Sequence, residues 1–198
     1  MPACGPETLL GWRQVGRAKK ERSSNGMTHQ IVSNAGDALD SVGLRRALGR
    51  FATGVVVVAT CTPEAELVGL TANSFAAVSL DPPLVLWSLN RKASSFSGFS
   101  RSAYFTVSIL GAEQEALARH FATRRDDKFA SVAFTRGHGG CPLIADSLAT
   151  FECRAVSTMD GGDHVVFLGR VLHATYREGD PLIFSAGQFL NRADFAAS

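Results

Sequence analysis

Features that mark several common classes of protein are scarce in this sequence. Its 198 residues include only four cysteines, none in a Cys-x-x-Cys pair and none with a histidine at zinc-ligand spacing. Sparse cysteines of this kind are typical of reduced thiols that pack as small apolar groups in a cytoplasmic protein. No apolar run is long enough to cross a membrane, and the N-terminal residues lack the compact apolar core of a secretory signal. We therefore expect a cytoplasmic protein with no structural metal and no membrane partner.

An excess of charge of either sign is also missing. The net charge is +2, and residues 1–30 carry five basic and two acidic side chains, or +3, which leaves about −1 for the remainder. Because the body has no broad basic stripe, we do not expect it to bind nucleic acid. With 45% hydrophobic and 19% charged residues, the chain has the composition of a globular protein with a full core.

Several catalytic and nucleotide-binding motifs are absent as well. The sequence contains no Gly-x-Gly-x-x-Gly after a strand, no P-loop and no Gly-x-Ser-x-Gly nucleophile elbow. Its five histidines do not form a metal-ligand spacing. If the protein binds a nucleotide, it does so without the Rossmann arrangement of strand, glycine-rich turn and helix.

The composition changes near residue 37. Residues 1–37 are rich in Gly, Ser, Asn, Lys and Arg and show little periodicity, which predicts a mobile extension. Met27 lies within it and offers a second start of translation. Residues 38–198 are expected to form one domain. It opens with a helix capped by Asp40 or Ser41, because Leu44, Leu48 and Phe51 recur at helical spacing. We expect this apolar stripe to lie against the end of a barrel.

After the opening helix the pattern is mostly that of β-structure. Strands are predicted over residues 55–60, 67–71, 83–89, 104–110, 149–159, 164–176 and 182–189. The apolar run at 83–89 suggests a strand buried on both faces, and residues 160–163 have the composition of a tight turn. Helices do not regularly separate the strands, so the pattern favours a mainly β antiparallel barrel with a few short helices over a doubly wound sheet.

Small polar side chains occur where the second strand ends, in the run Thr-Ala-Asn-Ser at residues 71–74. Such residues let a planar ligand approach the backbone closely, and backbone N–H groups can then donate to its carbonyl oxygens. The same composition also makes ordinary turns. The run alone leaves both interpretations open.

An ordered series of short segments surrounds this run. It includes Gly-Leu-Thr-Ala-Asn-Ser-Phe at 69–75, Ser-Leu-Asp-Pro-Pro at 79–83, Asp-Lys-Phe at 127–129 and Gly-Asp-His at 162–164. The series resembles the flavin reductase family, the reductase components of two-component flavin-dependent monooxygenases. The resemblance covers about residues 40–190.

The resemblance implies a split β-barrel of Greek-key type and a homodimer. It also implies hydride transfer from NADH or NADPH to FAD or FMN, after which the reduced flavin leaves for a separate monooxygenase. Two alternatives stay open. One is a split-barrel oxidase or oxygenase that retains its flavin and acts on an organic substrate, and the other is a non-catalytic flavin-binding module.

The resemblance also implies a set of site residues. The isoalloxazine ring would lie on Thr71, Ala72, Asn73 and Ser74, with its approach lined by Gly69 and Leu70. The ribityl chain and ring edge would contact Ser88, Leu89 and Asn90. The phosphate would bind at Ser94 and Ser95, which open a short helix as hydroxyl caps, with added charge from Arg91 or Lys92. The remaining cofactor-binding positions would be His120, Phe121 and Lys128.

His164 is the candidate catalytic residue. A lone histidine at the start of a strand is often structural. In the Gly-Asp-His turn that the resemblance implies, however, it would border the reactive face of the flavin and orient the nicotinamide or supply a proton near neutral pH. Two positions depart from the family pattern: His120 stands where arginine is frequent, and Gln188 stands where a basic residue is usual.

Overall fold

The computed structural model describes residues 40–190, together with Asp194 and two short paired strands, β1 (Lys20–Arg22) and β2 (Thr28–Gln30). The rest of the predicted extension 1–37, including Met27, lies outside the described residues. No helix in the described part of the chain has the length and apolar character needed to cross a lipid bilayer.

The first helix, α1 (Ser41–Leu48), begins as predicted, because the backbone N–H of Val42 donates to Asp40 Oδ1 over 3.0 Å. The predicted burial of its apolar stripe is wrong. Leu48 is 60% exposed and Phe51 79% exposed. The helix ends at residue 48, and the residue that it buries is Gly43, so its large apolar side chains face outward.

In the described residues, twelve strands and two further helices follow α1. The strands are β3 (Thr53–Gly54), β4 (Val56–Cys61), β5 (Leu67–Ala72), β6 (Ala76–Leu80), β7 (Pro83–Asn90), β8 (Tyr104–Ile109), β9 (Phe134–Arg136), β10 (Pro142–Ile144), β11 (Ala149–Gly161), β12 (His164–Tyr176), β13 (Ile183–Ser185) and β14 (Gln188–Leu190). The helices are α2 (Phe96–Arg101) and α3 (Glu115–Ala122). Single 3₁₀ turns lie at Ala112–Gln114 and His138–Gly140.

Seven strands form one antiparallel sheet in the order β5-β4-β8-β11-β12-β7-β6. Residues from both halves of this sheet, such as Val58 of β4 and Trp87 of β7, belong to a single buried cluster. The sheet therefore curls around its own core as an open barrel, in which the edge strands β5 and β6 do not pair with each other. The predicted mainly β, antiparallel fold with a few short helices is confirmed.

The core cluster is built around the indole of Trp87. This ring stacks on Phe167 with centroids 4.7 Å apart and meets the edges of Phe99 and Phe105. The prediction that the strand at 83–89 is buried on both faces is wrong, because β7 alternates between buried and half-buried positions. Its second face, which includes Ser88, is therefore only partly covered.

Helix α3 and the C-terminal strands cover the outer side of β4 and β5 and form a second core. The predicted single strand at 182–189 is instead a hairpin of β13 and β14. The chain turns at Ala186 and Gly187, both with positive φ. The predicted turn between β11 and β12 is confirmed, since Gly161 pairs with His164 across a two-residue loop.

Candidate functional site

The first part of the candidate site is the end of β5. Side chains alternate along a strand, so Leu70 and Ala72 face the barrel core while Gly69 and Thr71 face α3. The buried hydroxyl of Thr71 donates to the backbone carbonyl of Ala118 over 2.8 Å. This hydroxyl therefore holds the strand against the helix.

Gly69 lies under two aromatic rings. A Cβ atom at this position would lie 2.8 Å from Phe129 Cζ and 2.9 Å from Phe121 Cε1. The two rings meet edge to face, with centroids 5.1 Å apart, and both are buried. A glycine is required here because the rings occupy the space that a side chain would need.

Ser74 connects the segment after β5 to β7. Its hydroxyl accepts the backbone N–H of Ser88 over 2.9 Å and lies 3.2 Å from the Ser88 carbonyl oxygen. Strand β6 begins only at Ala76, which pairs with Leu86. Ser74 thus bonds to the backbone of β7 at Ser88, where β6 does not pair with that strand. This bond joins the segment 71–74 to the second part of the site.

The end of β7 brings Asn90 opposite His164 in the strand register. The side chain of Asn90 accepts the backbone N–H of Lys92 over 2.8 Å, which turns the chain away from the sheet. Leu89 points into the barrel core, as Val85 and Trp87 do.

Ser94 and Ser95 follow this turn, and Ser95 is the residue before α2. The prediction that these hydroxyls cap the helix is wrong for Ser95, whose side chain makes no capping hydrogen bond. Its φ of −75° and ψ of −12° are already helical, whereas a capping serine needs an extended backbone to reach the free N–H groups. The exposed Ser94 lies one residue further from the helix.

His164 and Asp163 form a pair at the start of β12. The ring Nδ1 of His164 donates to Asp163 Oδ1 over 2.7 Å, and the ring is about half exposed. This hydrogen bond and the imidazole charge hold the pKa of Asp163 below its usual value. The pairing assigns the Nδ1 proton and leaves Nε2 as the nitrogen available to another molecule.

His120, near the end of α3, and Lys128, in the loop that follows, both bond to backbone carbonyls through their side chains. The ring Nε2 of His120 donates to the Lys128 carbonyl over 2.7 Å. The Lys128 ammonium donates to the carbonyls of Phe121 at 2.9 Å and Gly69 at 3.1 Å. Both polar side chains therefore contact the backbone around β5 and α3.

A separate polar cluster lies where β11 pairs with β8. The buried Glu152 carboxylate accepts the backbone N–H of His138 over 2.6 Å and its ring Nδ1–H over 2.5 Å. Burial raises the pKa of Glu152, but the hydrogen bonds and charge of His138 outweigh it, so the net pKa is lowered. In the described part of the chain, no three His, Cys, Asp or Glu side chains are grouped so that they could hold a metal ion.

Comparison with models of known protein families matches residues 48–191, well over half of the chain, to the flavin reductase like domain. This chain belongs to the flavin reductase family. The match extends from the end of α1 through every strand of the main sheet and includes all the predicted site residues. The family assignment made from the ordered segments of the sequence is confirmed.

Individual relatives agree with this assignment to the flavin reductase family. The FMN reductase (NADH) SmoA of Agrobacterium fabrum (strain C58) is 46% identical over 150 residues, covering 76% of this chain and 85% of SmoA. HsaB, the reductase subunit of a flavin-dependent monooxygenase of Rhodococcus jostii (strain RHA1), is 40% identical over 156 residues, with 78% and 80% covered. The solved structure of the Streptomyces globisporus NADH:FAD oxidoreductase SgcE6 superposes with a TM-score of 0.73 at 42% identity, covering 76% of this chain and 92% of that chain. Other matched proteins are longer, and this chain spans between 43% and 59% of their length.

Within this flavin reductase, the predicted site residues fall into two groups. Ser74, Ser88, Asn90 and His164 lie along the ends of β7 and β12, whereas Gly69, Thr71, His120, Phe121 and Lys128 surround the contact of β5 with α3. The segment 69–74 connects the groups. Sequence reasoning missed the role of Arg91, which contacts the turn between β11 and β12. Only its position beside Asn90 could have suggested it.

Proposed function

We propose that this chain transfers a hydride from NADH or NADPH to FAD or FMN and supplies the reduced flavin to a separate monooxygenase. One observation carries the proposal. An uncharged strand end, residues 69–74, is tied to the end of β7 beside His164, in a chain of the flavin reductase family. The activities for which two relatives are named, FMN reductase (NADH) and NADH-dependent FAD reductase, support the same reaction.

The residues between the two strand ends fit a flavin. Asn73 and Ser74 are half-buried and uncharged, as are Ser88 and Asn90 on the neighbouring strand. In the proposal, the backbone of residues 71–74 and the Asn73 amide hold the planar ring, with Leu70 and Ala72 supporting the strand from the core side. Thr71 and Ser74 act through their hydrogen bonds to Ala118 and Ser88.

In the proposal, the ribityl chain and phosphate of the flavin bind at the turn after β7. The Ser95 side chain makes no capping hydrogen bond, and Ser94 is exposed. We assign both hydroxyls to the ribityl chain or phosphate, with Lys92 as the nearby positive charge. Leu89 secures the strand end from inside the barrel, and Asn90 shapes the turn.

His164 is the proposed catalytic residue. A flavin held at this site would supply the hydride acceptor, and beyond the hydride one further proton would be required only for the neutral form of the reduced flavin. With its Nδ1–H held by Asp163, the imidazole can hold or give a proton at Nε2 and can orient the nicotinamide. Little other acid–base machinery is required, because the transfer depends mainly on bringing the reacting atoms to about 3–3.5 Å.

Steady-state kinetics test the function. We expect NADH or NADPH oxidation that rises with added free FAD or FMN and saturates. Oxidation that does not depend on added flavin would indicate a flavin-retaining oxidase, and flavin binding without turnover would indicate a non-catalytic module. For the site, His164→Ala should lower turnover by more than about tenfold with the flavin Kd nearly unchanged. Wild-type turnover in His164→Ala would show that His164 has a structural role and not a catalytic one.

The active form in this proposal is a homodimer. Large apolar side chains are exposed on and just after α1, on β6, and in the C-terminal halves of β11 and β12. They are Leu44, Leu48, Phe51, Val78, Leu80, Val156, Met159, Leu172 and Tyr176. Exposed apolar surface of this extent is typical of an interface.

Light scattering after gel filtration tests the dimer. Leu80 is 93% exposed, so Leu80→Asp removes no core contact and should shift the mass toward the monomer. Ala130→Asp, at an exposed position after α3, is the control and should keep the wild-type mass. A wild-type protein of monomer mass would refute the dimer. A cytoplasmic location is also part of the proposal, in keeping with three free cysteines among the described residues.

A further inference from the structure

Arg91 makes three hydrogen bonds to the turn that joins β11 and β12. Its Nε donates to the carbonyl of Gly162 over 3.0 Å, and its Nη2 lies 2.7 Å from Asp160 Oδ2. Its backbone N–H donates to the carbonyl of Asp163 over 3.0 Å. A single residue at the end of β7 thus contacts three of the four residues at 160–163.

The turn is organised around the same carboxylate. Asp160 Oδ1 accepts the backbone N–H of Gly162 over 2.8 Å, while its other oxygen receives Arg91. Gly162 has a φ of +77°, and nothing lies within 4 Å of the position that a Cβ would occupy. A glycine is therefore favoured at this position by its positive φ and not by lack of space. The Arg91–Asp160 ion pair lies beside it and holds the turn together.

The turn determines where His164 points. His164 is the first residue of β12, and its ring nitrogen is held by Asp163. Asp163 is in turn held at its backbone carbonyl by Arg91. The strand register places the His164 backbone opposite Asn90, but the direction of the ring depends on the residues of the turn.

We propose that Arg91 is a positioning residue for hydride transfer: its guanidinium fixes the turn that aims the Asp163–His164 pair. This inference rests on the proposed function of His164. It differs from the expectation that Arg91 adds charge at the flavin phosphate, because Nε and Nη2 are already bonded to the turn. The ion pair is exposed on both sides, so its loss should change the stability of the protein little.

The first test uses the flavin-free full-length protein and needs no catalysis. Hydrogen–deuterium exchange of peptides spanning residues 158–166 should be faster in Arg91→Gln and in Asp160→Asn than in the wild type. The matched control is Arg101→Gln, which removes another exposed ion pair, with Glu64 at 2.8 Å, and should leave these peptides unchanged. Unchanged exchange in Arg91→Gln would overturn the proposal.

The second test is a double-mutant cycle in kcat with FMN and with riboflavin, which lacks the phosphate. We expect Arg91→Gln to lower kcat roughly tenfold with both flavins, as misplacement of a catalytic group does. It should cause no further loss in the His164→Ala background, because Arg91 acts through His164. Arg101→Gln should keep wild-type turnover.

Three kinetic outcomes would contradict the inference, and they are distinguishable. A rise in KM for FMN but not for riboflavin would place Arg91 at the phosphate. Losses that multiply in the double variant would make Arg91 independent of His164. Wild-type kcat in His164→Ala would remove the residue that Arg91 is inferred to position. A wild-type protein that oxidises no NAD(P)H with any flavin would refute the proposed function itself, and the exchange data would still report on the turn.

Discussion

The substitution Gly69→Ala tests why a glycine occupies the first position of the segment 69–74, next to the proposed flavin site. The added Cβ would lie 2.8 Å from Phe129 and 2.9 Å from Phe121, closer than such atoms approach in folded proteins. Both rings are buried and packed on each other, so neither can move aside freely. Overpacking of a well-packed core costs about 1–3 kcal/mol. For a chain of this size, that loss lowers Tm by about 2–12 °C.

The matched control is Gly54→Ala in β3, a strand glycine with no atom within 4 Å of its Cβ position. Its φ is not in the left-handed region, so alanine fits and should change the free energy of unfolding by less than about 1 kcal/mol. Thermal unfolding of both flavin-free variants, followed by circular dichroism, measures the difference. Flavin binding is then measured separately by quenching of flavin fluorescence.

The two measurements separate packing from ligand approach. If Gly69 is a glycine because Phe121 and Phe129 occupy its side-chain space, the flavin-free protein is destabilised and the flavin Kd rises as β5 shifts. If it is a glycine so that a flavin can approach the strand, Kd rises while Tm stays at the level of Gly54→Ala. Equal Tm values for the two variants would refute the packing argument.

Three further predictions follow from the hydrogen bonds and burial. Lys128→Met removes the ammonium that donates to two backbone carbonyls, so the free energy of unfolding in urea should fall by about 2–3 kcal/mol. Lys128→Arg should restore part of this loss. An unchanged urea midpoint in Lys128→Met would show that these two hydrogen bonds do not stabilise the fold. The folded state lowers the pKa of Glu152, so its carboxylate stabilises the fold above about pH 5. That contribution to the free energy of unfolding is lost as the pH falls through the folded-state pKa. Glu152→Gln should therefore be least stable relative to wild type at neutral pH, and a pH-independent difference would refute this. Burial raises the pKa of Cys153 to about 12 and also raises that of Cys141, so maleimide labelling followed by peptide mapping should find both unmodified until urea is added.

Most strands of the main sheet could be predicted from the sequence, because strands with a buried face are rich in apolar and β-branched residues. The runs at 55–60, 104–110 and 164–176 became β4, β8 and β12 with small shifts at their ends. Strand β6 was missed. Its residues, Ala76–Leu80, are small or exposed, and it is a strand because the edge of β7 pairs with it.

The two errors in burial have a common cause. Periodicity reports which residues share a face, but it does not report what covers that face. The stripe of Leu44, Leu48 and Phe51 is apolar yet exposed. The second face of β7 carries leucines as well as the polar Ser88 and is only half-buried. In the proposal, α1 belongs to the dimer interface, and the half-covered face of β7 belongs to the flavin site.

The candidate site was predicted by residue type, but the partners of its side chains could not be. Small polar residues at 71–74 suggested groups offered to a ligand, whereas the Thr71 and Ser74 hydroxyls are engaged with the backbones of Ala118 and Ser88. Lys128 likewise contacts carbonyls of the protein. The bonds of Thr71 and Ser74, and the bond from Lys128 to Gly69, join residues 14 to 59 positions apart, and no local pattern encodes them.

The internal use of these polar groups bears on how tightly a flavin can be held. Because the Thr71 and Ser74 hydroxyls and the Lys128 ammonium contact the protein's own backbone, the flavin is left with other groups. These are main-chain N–H groups, amides such as Asn73, the Ser94 and Ser95 hydroxyls and the exposed charge of Lys92. Neutral hydrogen bonds of this kind contribute about 0.5–1.5 kcal/mol each, roughly half of what charged ones contribute. A site that orients a flavin through a rigid backbone, without clamping its phosphate, favours rapid departure of the product. Rigid orientation with modest affinity is what a reductase needs when its reduced flavin must leave for another enzyme.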